Sequence, residues 1–549
     1  MRHDHHRLLR PALLAGLALL TAAAIAQPAK AQTADNLSPD PWPVRLVVPG
    51  QQLTLPYVFN SWYGELPTGA VYLRNDLQRT FTRLPMVAVS ESAGYGARAL
   101  VAHVPASLVR GHQLFYYAVL RDAASGRTAT IPAGGASHPE LAWVLNRPAA
   151  VSLGVHSFGR LRAPDAIVAT AGPRQVGFYQ PPEGAQGGPW SFDLPRDGSI
   201  WLSDQENSQL LVWQPRRSIR PVRSVKLSDP AHIFDFAVAP DGTIYVTYRD
   251  LNRRVPGMDY NLSLAALSPT GQVRWKGPTI ISIANGRLRF GPDGALYWAN
   301  GPFDAWTQLT TRAGRLLTIA EQRQRTSPGQ PLSGGLQLVT TGIADHELRV
   351  ALINQADRVV RAWRITSQND LGGMVATPAL VGGDPVLVTE IAQQTKAKFL
   401  YEFQVLRLAP NGGTRVRFAL DPHAAWGDPP ITGLRVGPDG QLYQLRTNPA
   451  WGVRIARYSL QPPKPTPPPT TITPTPGGGA VSPSTAPTTP PVRPQPQPAV
   501  PARSVWRALL PWLAAVVAVA LAAAGEVWWW RRRQHRHHPA GPGRPHPVH

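Results

Sequence analysis

One short motif recurs along this chain, and its spacing constrains the fold more than any other feature of the sequence. An apolar segment, an Asp-Gly turn that usually includes proline, and a second apolar segment occur at residues 192–202, 236–246, 288–298 and 434–444. The turn aspartates of the first three copies are 44 and 52 residues apart, and the fourth follows after 146. A gap of 146 residues holds three repeats of about 49, so two degenerate copies are expected near Asp345 and Asp384.

Six repeats of this length, each built from short strands, predict a six-bladed β-propeller over residues 160–460. The last repeat ends near Leu460 with only about three strands. Its fourth strand is therefore predicted to come from an early segment, either residues 166–170 or residues 175–180. Closing the ring in this way removes the exposed edges that an open sheet would present.

The Asp-Gly pairs themselves are predicted to be structural turns. Proline presets the backbone angle of such a turn, and glycine takes the position with positive φ. The ligand spacing and closing glutamate of an EF-hand calcium loop are missing from these segments. The pairs are Asp197 with Gly198, Asp241 with Gly242, Asp293 with Gly294, and Asp439 with Gly440.

Residues 189–213 give the repeat in its fullest form, with a strand, an Asp-Gly turn, an aromatic strand, an Asp-x-x-Asn turn and a third strand. In this order the segment resembles the NHL and lactonase-like six-bladed propellers. Later copies depart from that pattern, because the second turn becomes a loop after Tyr248 and after Trp298. The resemblance implies that the Asp-Gly turns lie on one face of the disc. The other loops would open on the opposite face, where proteins of this architecture usually bind or act.

A separate module precedes the repeats, over residues 41–146. Its segments at 52–59, 69–74 and 97–104 have strand patterning, and no long helical period interrupts them. Residues 104–126 contain a Tyr-Tyr strand followed by an Asp-x-x-x-Gly hairpin from Asp122 to Gly126. This stretch resembles the last strands of fibronectin type III or immunoglobulin-like modules. The resemblance implies a β-sandwich that spaces or presents other domains, and no chemistry is assigned to it.

The two ends of the chain predict export and anchoring. Residues 1–31 have three arginines, an apolar run and an Ala-Lys-Ala cleavage site, as in a secretory signal peptide. Residues 461–503 carry 16 prolines and read as an extended linker. Residues 506–530 are apolar with flanking tryptophans and predict a transmembrane helix, and residues 531–549 form a basic tail. The positive-inside bias predicts a single-pass membrane protein with its N-terminal bulk outside the cytoplasm and its tail inside.

Charge and cysteine content exclude several classes of function. The chain has a formal charge of +22 and contains no cysteine. Thiolate metal sites, disulfide scaffolds and cysteine nucleophiles are therefore excluded. Half of the charge lies in residues 1–31 and 461–549, and the remainder is spread along the exported part without a polybasic cluster beyond short pairs. Nucleic acid is not expected as a partner, because clustering and a recognition motif are both missing.

The loops on the face opposite the Asp-Gly turns contain the candidate binding residues. Exposed aromatic rings beside polar groups suit a carbohydrate or peptide surface. The alternative is that some of these rings simply pack one blade against the next. The candidates are Trp306, Trp426, Trp451, Tyr260, His232 and His423.

Catalytic signatures are sparse. The zinc-protease, nucleophile-elbow, Walker and dinucleotide motifs do not occur in the sequence. No cofactor is predicted, although Asp204, Glu206, Asp259 and Asp304 leave open a calcium or other metal site of the kind found in lactonase-like propellers. His232 and His423 leave open an acid–base pair, as in propeller lyases.

Three hypotheses follow from these features. The favoured one is a membrane-anchored extracytoplasmic binding protein that presents its propeller surface to a glycan, peptide or protein ligand. The second is a tethered propeller hydrolase or lyase. The third is a passive scaffold of the cell envelope.

Overall fold

The structure is a computed structural model, and it describes residues 37, 40–41, 43–59, 66–89, 98–123, 125–179, 187–227, 233–249, 262–279, 287–299, 305–344, 346–395, 398–427 and 432–462. The predicted signal peptide, the transmembrane helix, the basic tail and nearly all of the predicted linker lie outside these residues. Among the described residues, no helix is long and apolar enough to cross a membrane.

The N-terminal module is built from nine strands within the described residues. Short 3-10 turns at Ala106–Leu108 and Gly135–Ser137 connect some of them. The strands are β1 (Asp40–Pro41), β2 (Leu46–Val47), β3 (Leu53–Phe59), β4 (Thr68–Asn75), β5 (Thr82–Val89), β6 (Arg98–Val104), β7 (Gln113–Arg121), β8 (Thr128–Ile131) and β9 (Glu140–Val144).

These strands form one nearly closed, barrel-like sheet, whereas the sequence predicts a sandwich of two sheets. The strand order is β1-β3-β6-β5-β4-β7-β9-β2, with β8 paired to β7. Strand β5 makes the sheet continuous. Its residues 82–85 pair with β4, and its residues 86–89 pair with β6. The predicted hairpin after β7 forms, with the Gly126 amide donating to the Asp122 carbonyl at 2.9 Å. The resemblance to fibronectin type III modules stays a prediction.

The remaining strands form a six-bladed β-propeller. Before the first blade the chain contributes β10 (Ala149–Ser152) and β11 (Ala166–Ala171). Blade 1 contains β12 (Phe192–Asp193), β13 (Ile200–Asp204), β14 (Gln209–Gln214) and β15 (Ser218–Lys226). Blade 2 contains β16 (Ile233–Val238), β17 (Ile244–Arg249), β18 (Leu262–Leu267) and β19 (Val273–Pro278). Blade 3 contains β20 (Arg287–Phe290), β21 (Leu296–Ala299), β22 (Trp306–Gln308) and β23 (Thr326–Ser327), with the short helix α1 (Ile319–Gln324) inserted before β23.

The other three blades complete the ring. Blade 4 contains β24 (Gln330–Pro331), β25 (Gln337–Ala344), β26 (Glu347–Ile353) and β27 (Val359–Thr366), with a 3-10 turn at Ser333–Gly335. Blade 5 contains β28 (Asp370–Met374), β29 (Ala379–Val381), β30 (Asp384–Gln394), β31 (Phe399–Leu408) and β32 (Thr414–Leu420). Blade 6 contains β33 (Leu434–Val436), β34 (Leu442–Asn448) and β35 (Gly452–Tyr458).

The four Asp-Gly turns share one geometry. In each turn the aspartate side chain accepts the backbone amide of the residue two positions later, at 2.9–3.2 Å. The following glycine has φ between 71° and 81°, a conformation that residues with a Cβ rarely adopt. The turns are at Asp197–Gly198, Asp241–Gly242, Asp293–Gly294 and Asp439–Gly440.

The first turn of blade 4 is not at Asp345, where the spacing of the repeats placed it. Strand β24 pairs with β25, and the link between them is a hairpin in which the Leu332 amide donates to the Leu336 carbonyl at 2.7 Å. Gly334 and Gly335 supply the positive φ angles that an Asp-Gly pair supplies elsewhere. The copy near Asp384 does fall where expected, since Asp384 begins the second strand of blade 5 directly after its turn.

Of the two predicted closing segments, the structure uses the first. Strand β11 pairs with β35 and becomes the outermost strand of blade 6. The same N-terminal stretch also touches the two preceding blades, because β10 adds to β27 of blade 4 and Leu161 bridges to Ala419 of blade 5. Between these contacts His156 and the Gly159 amide hydrogen-bond the buried carboxylate of Glu402, at 2.7 and 2.5 Å. Residues 149–171 therefore contact blades 4, 5 and 6 in turn.

The blade interfaces differ at one place in the ring. Five neighbouring pairs of blades each share an apolar cluster. Blades 3 and 4 share none within the described residues. Instead, Val339, Ala351 and Ile353 of blade 4 pack against Trp143 and other residues of the N-terminal module. The facing residues of blade 3 form a small cluster of their own. The module therefore takes the place that a neighbouring blade fills elsewhere in the ring.

Candidate functional site

The centre of the propeller is filled by charged side chains from the inner strands. Asp193 of β12 and Asp235 of β16 are buried. Arg435 forms an ion pair with Asp193, and Arg289 Nη1 lies 3.2 Å from Asp235 Oδ2. Arg287 donates to the Val375 carbonyl of blade 5 at 2.9 Å. The two ion pairs join neighbouring blades, and the Arg287 bond joins blade 3 to blade 5.

Burial dominates the electrostatics of this network. It raises the pKa of Asp235, although Arg289 and two backbone amides oppose the shift. It lowers the pKa of Arg435 to about 9 and that of Arg287 to about 10. The oxygens of Asp235 also accept the Leu288 amide at 2.8 Å. Because these groups form ion pairs and hydrogen bonds with one another, we assign the network to joining the blades and not to binding a ligand.

The structure separates the six predicted binding residues into three groups. Trp306 is only 7% exposed and packs with Tyr297 and Ala299, so it adds no surface to the predicted face. The sequence left open that such a ring packs one blade against the next, but the cluster around Trp306 lies within blade 3. His232 and Tyr260 lie outside the described residues. Trp426, Trp451 and His423 remain at least partly exposed.

Asp204 is already fully engaged. Its carboxylate is buried and accepts the Gly177 amide at 3.0 Å and the side-chain amides of Asn207 and Gln209 at 2.8 Å each. These bonds tie the second turn of blade 1 to the loop that precedes the blade. Of the other candidate metal ligands, Asp259 and Asp304 lie outside the described residues. Within the described residues, Glu206 included, no group of three or more potential metal-ligating side chains occurs.

A cluster at one end of blade 5 does have the properties of a site. Strand β31 begins with Phe399, which is 54% exposed, and its ring stacks on Tyr401 at a centroid distance of 5.8 Å. His423, in the loop after β32, packs edge-on against Tyr401 at 5.0 Å, with its Nδ1 3.5 Å from the tyrosine hydroxyl. The His423 amide donates to Asp421 Oδ1 at 2.9 Å, which fixes the loop. We call Phe399, Tyr401, His423 and Glu390 the blade 5 site.

Glu390 supplies the acidic group of this site. It lies on β30 beside β31, is partly buried, and has no hydrogen bond or ion pair to its carboxylate in the described part of the chain. Burial raises its pKa. Burial also raises the pKa of Tyr401, and the charges of Glu390 and Asp421 add to that shift. A desolvated carboxyl without a cationic partner is a common feature of functional sites.

Two tryptophans extend the aromatic surface on blade 6. Trp426 packs edge-on against Phe178 at 6.0 Å, and its amide donates to Thr447 Oγ1 at 2.8 Å. Trp451 lies under the guanidinium of Arg454, 4.6 Å from its ring centroid. Both tryptophans are partly exposed, and both lie in loops at the end of the blades opposite the Asp-Gly turns.

The sequence reading found His423 but missed Phe399, Tyr401 and Glu390. One signal was present, because Phe399, Tyr401 and Phe403 alternate along a strand and so share one face. The same alternation is expected for a strand face that is buried in the core, so the sequence alone does not show that these rings are exposed. Phe403 packs in the cluster between blades 5 and 6, whereas Phe399, at the start of the strand, is exposed and Tyr401 is partly exposed.

The comparisons with known proteins give a fold-level likeness. No family model and no curated protein matches this chain. A streptogramin B lyase structure aligns with 10% identity and a TM-score of 0.27, over 63% of this chain and 90% of its own. A catalytically inactive virginiamycin B lyase from Staphylococcus aureus, with quinupristin, aligns with 10% identity and a TM-score of 0.28, over 74% and 99%. An endo-arabinase from Bacteroides thetaiotaomicron aligns with 11% identity and a TM-score of 0.22, over 50% and 94%. At these values the neighbours assign neither a site nor an activity to this chain.

Proposed function

We propose that this protein is a membrane-anchored extracytoplasmic binding protein that holds a glycan ligand at the blade 5 site. The observation that carries the proposal is the stacked ring pair of exposed Phe399 and partly exposed Tyr401, on the strand next to Glu390, whose partly buried carboxyl has no partner within the described residues. The anchor and the outward orientation rest on the sequence of residues 1–31 and 506–530.

The chemistry of the blade 5 site favours a sugar. Flat rings offer an apolar surface to the C–H face of a pyranose, and their polar edges accept or donate hydrogen bonds. The carboxyl of Glu390 lacks a partner, so ligand hydroxyl groups would satisfy it at little cost. A cationic peptide would use the same carboxyl and rings, and it is the alternative ligand.

Binding can be measured with the full-length chain in mild detergent against a panel of neutral oligosaccharides, soluble cell-wall fragments and a lysine-rich peptide. The Tyr401→Ala variant should bind the preferred sugar at least tenfold more weakly. The matched control is Tyr117→Ala, because Tyr117 also stacks on a neighbouring ring, at 5.0 Å, but lies in the N-terminal module. If the protein binds the lysine-rich peptide more tightly than any sugar, the ligand of the blade 5 site is a cationic peptide and not a glycan. Equal affinity of both variants, or no binding by any of these ligands, would refute the site.

Glu390 also supports a second candidate function, a hydrolase or lyase. A carboxyl whose pKa is raised by burial can act as a general acid, and His423 is exposed beside the same tyrosine. The Glu390→Gln variant distinguishes the two functions. If the protein only binds, wild type forms no product from a bound sugar and the variant changes affinity alone. If it is an enzyme, wild type turns the ligand over and the variant binds it without turnover.

The proposed topology has a separate test. Protease added to intact cells should remove the propeller and leave the basic tail, residues 531–549, attached to a protected fragment. A propeller that resists the protease until the cells are lysed would contradict the outward orientation.

A further inference from the structure

A cleft of about 550 Å³ lies between blades 3 and 4. Its volume falls in the range of small-molecule binding sites. The cleft opens where these two blades share no apolar cluster, because the N-terminal module contacts blade 4 there instead. It is bordered by the Asp293 turn of blade 3, so it lies at the end of the blades opposite the blade 5 site. It is therefore independent of the proposed function.

Polar side chains dominate the wall of the cleft, and several keep hydrogen-bonding groups free for a ligand. Gln337 accepts the Ser327 hydroxyl at 2.8 Å through Oε1, and Asn354 accepts two backbone amides at 3.0 Å through Oδ1. Their side-chain NH₂ groups make no hydrogen bond within the described residues. The polar side chains that line the cleft include Asp293, Tyr297, Gln337, Asn354, Gln355 and Asp357.

The backbone around the cleft is held in unusual conformations. Asp357 has φ of 54°, which is uncommon for a residue with a Cβ. Its carbonyl accepts Trp143 Nε1 at 3.1 Å and Gln113 Nε2 at 3.2 Å, so the module fixes this turn. On the other side Gly335 has φ of 69°, and a Cβ there would lie 2.4 Å from the Gln355 amide. The module and the Gly335 turn therefore fix the backbone on the two sides of the cleft.

The charge of the wall restricts the ligand. Two carboxylates, Asp293 and Asp357, line the cleft, and its described lining includes no lysine or arginine. An anionic ligand such as a phosphate would therefore be repelled. Pro292, Pro331, Leu332 and Leu336 add apolar surfaces between the polar groups, which suits the C–H faces of a sugar ring. Amides, carboxylates and small apolar surfaces together match a compact molecule with many hydroxyl groups.

We propose that the cleft between blades 3 and 4 is a second binding site, which takes a neutral saccharide of one or two rings. Gln355 and the side-chain NH₂ groups of Gln337 and Asn354 donate hydrogen bonds to its hydroxyl oxygens. Asp357 accepts hydrogen bonds from its hydroxyl groups.

Saturation-transfer NMR and calorimetry on the full-length chain can test this site with neutral mono- and disaccharides, with glycerol phosphate as the anionic probe. Gln355→Leu removes an exposed amide, and Gly335→Ala pushes a methyl group into the Gln355 side chain. Each variant should weaken at least tenfold the binding of the mono- or disaccharide that occupies the cleft. Tyr401→Ala should leave this affinity unchanged, which separates the cleft from the blade 5 site.

A matched control accounts for backbone strain. Gly334→Ala places a Cβ at a neighbouring position with φ of 73° but no atom within 4 Å, so it should bind normally. Tighter binding of glycerol phosphate than of any sugar, or no effect of either cleft variant, would overturn the proposal. Binding of no sugar at millimolar concentration would overturn it as well.

Discussion

Replacing Trp143 by alanine should destabilise the module and the propeller together. The side chain of Trp143 is fully buried among Leu46, Val339 and Ile353, on both sides of the boundary between the module and blade 4. Truncating a buried tryptophan costs about 3–5 kcal/mol through lost contacts and the cavity that remains. The hydrogen bond to the Asp357 carbonyl, at 3.1 Å, adds about 1 kcal/mol. We expect a total loss of about 4–6 kcal/mol in the free energy of unfolding.

Urea unfolding of the full-length chain, followed by near-UV circular dichroism, measures this loss. Trp143→Phe keeps most of the packing and should lose about 1–2 kcal/mol. Leu77→Ala is the surface control, because Leu77 is 67% exposed, and it should change stability by less than about 0.5 kcal/mol. A loss below about 1 kcal/mol for Trp143→Ala would refute the reasoning. A module that unfolds in a separate transition, without moving that of the propeller, would also refute it.

Three further changes have defined outcomes. Gly452→Ala would place a Cβ 2.1 Å from the Ala171 carbonyl oxygen, where β11 closes the ring. The melting temperature of this variant should be well below that of Gly383→Ala, whose added Cβ meets nothing within 4 Å. Asp204→Ala removes the acceptor of three hydrogen bonds and should cost about 2–3 kcal/mol in urea unfolding, with a loss below 0.5 kcal/mol contradicting its structural role. Burial raises the pKa of Glu390, so between pH 4.5 and its folded pKa the native state binds more protons than the unfolded state, and stability falls as pH rises. Glu390→Gln should therefore be more stable than wild type at pH 7 and no different from it below pH 4, and an equal change at both pH values would exclude this origin.

The repeat pattern was sufficient to predict the propeller because its turns depend on local chemistry. Asp241 accepts the Thr243 amide only two residues away, and Gly242 needs positive φ whatever surrounds it. The blade count followed from spacing alone. The turn of blade 4 was misplaced because Gly334 and Gly335 satisfy the same backbone requirement without an aspartate.

The site was harder to predict because it depends on contacts between distant segments. The sequence predicts both Trp306 and Trp426 in loops on one face, but Trp306 begins β22 and packs within blade 3, whereas Trp426 stays partly exposed in its loop. The pKa of Glu390 is raised only by the strands that surround it. The contact of Trp143 with blade 4 joins segments more than 200 residues apart, and no local pattern marks it. Local turn chemistry therefore predicts the propeller, whereas tertiary packing determines which polar and aromatic side chains stay exposed to a ligand.

Strand β11 closes the ring by pairing with β35 of blade 6, and the six-bladed propeller depends on this closure. The chain contains no cysteine, so an introduced pair can be followed without background. Thr170 lies opposite Arg454 in the β11–β35 pairing, and Arg446 lies one strand further in, opposite Arg454 on β34. Two strand spacings are about 9.6 Å, too far for a disulfide. Under mild oxidation, Thr170→Cys with Arg454→Cys should form an intramolecular disulfide, read by mass spectrometry of the digested protein, and Thr170→Cys with Arg446→Cys should not. Failure of the first pair to cross-link, or equal cross-linking of both, would contradict the closed propeller.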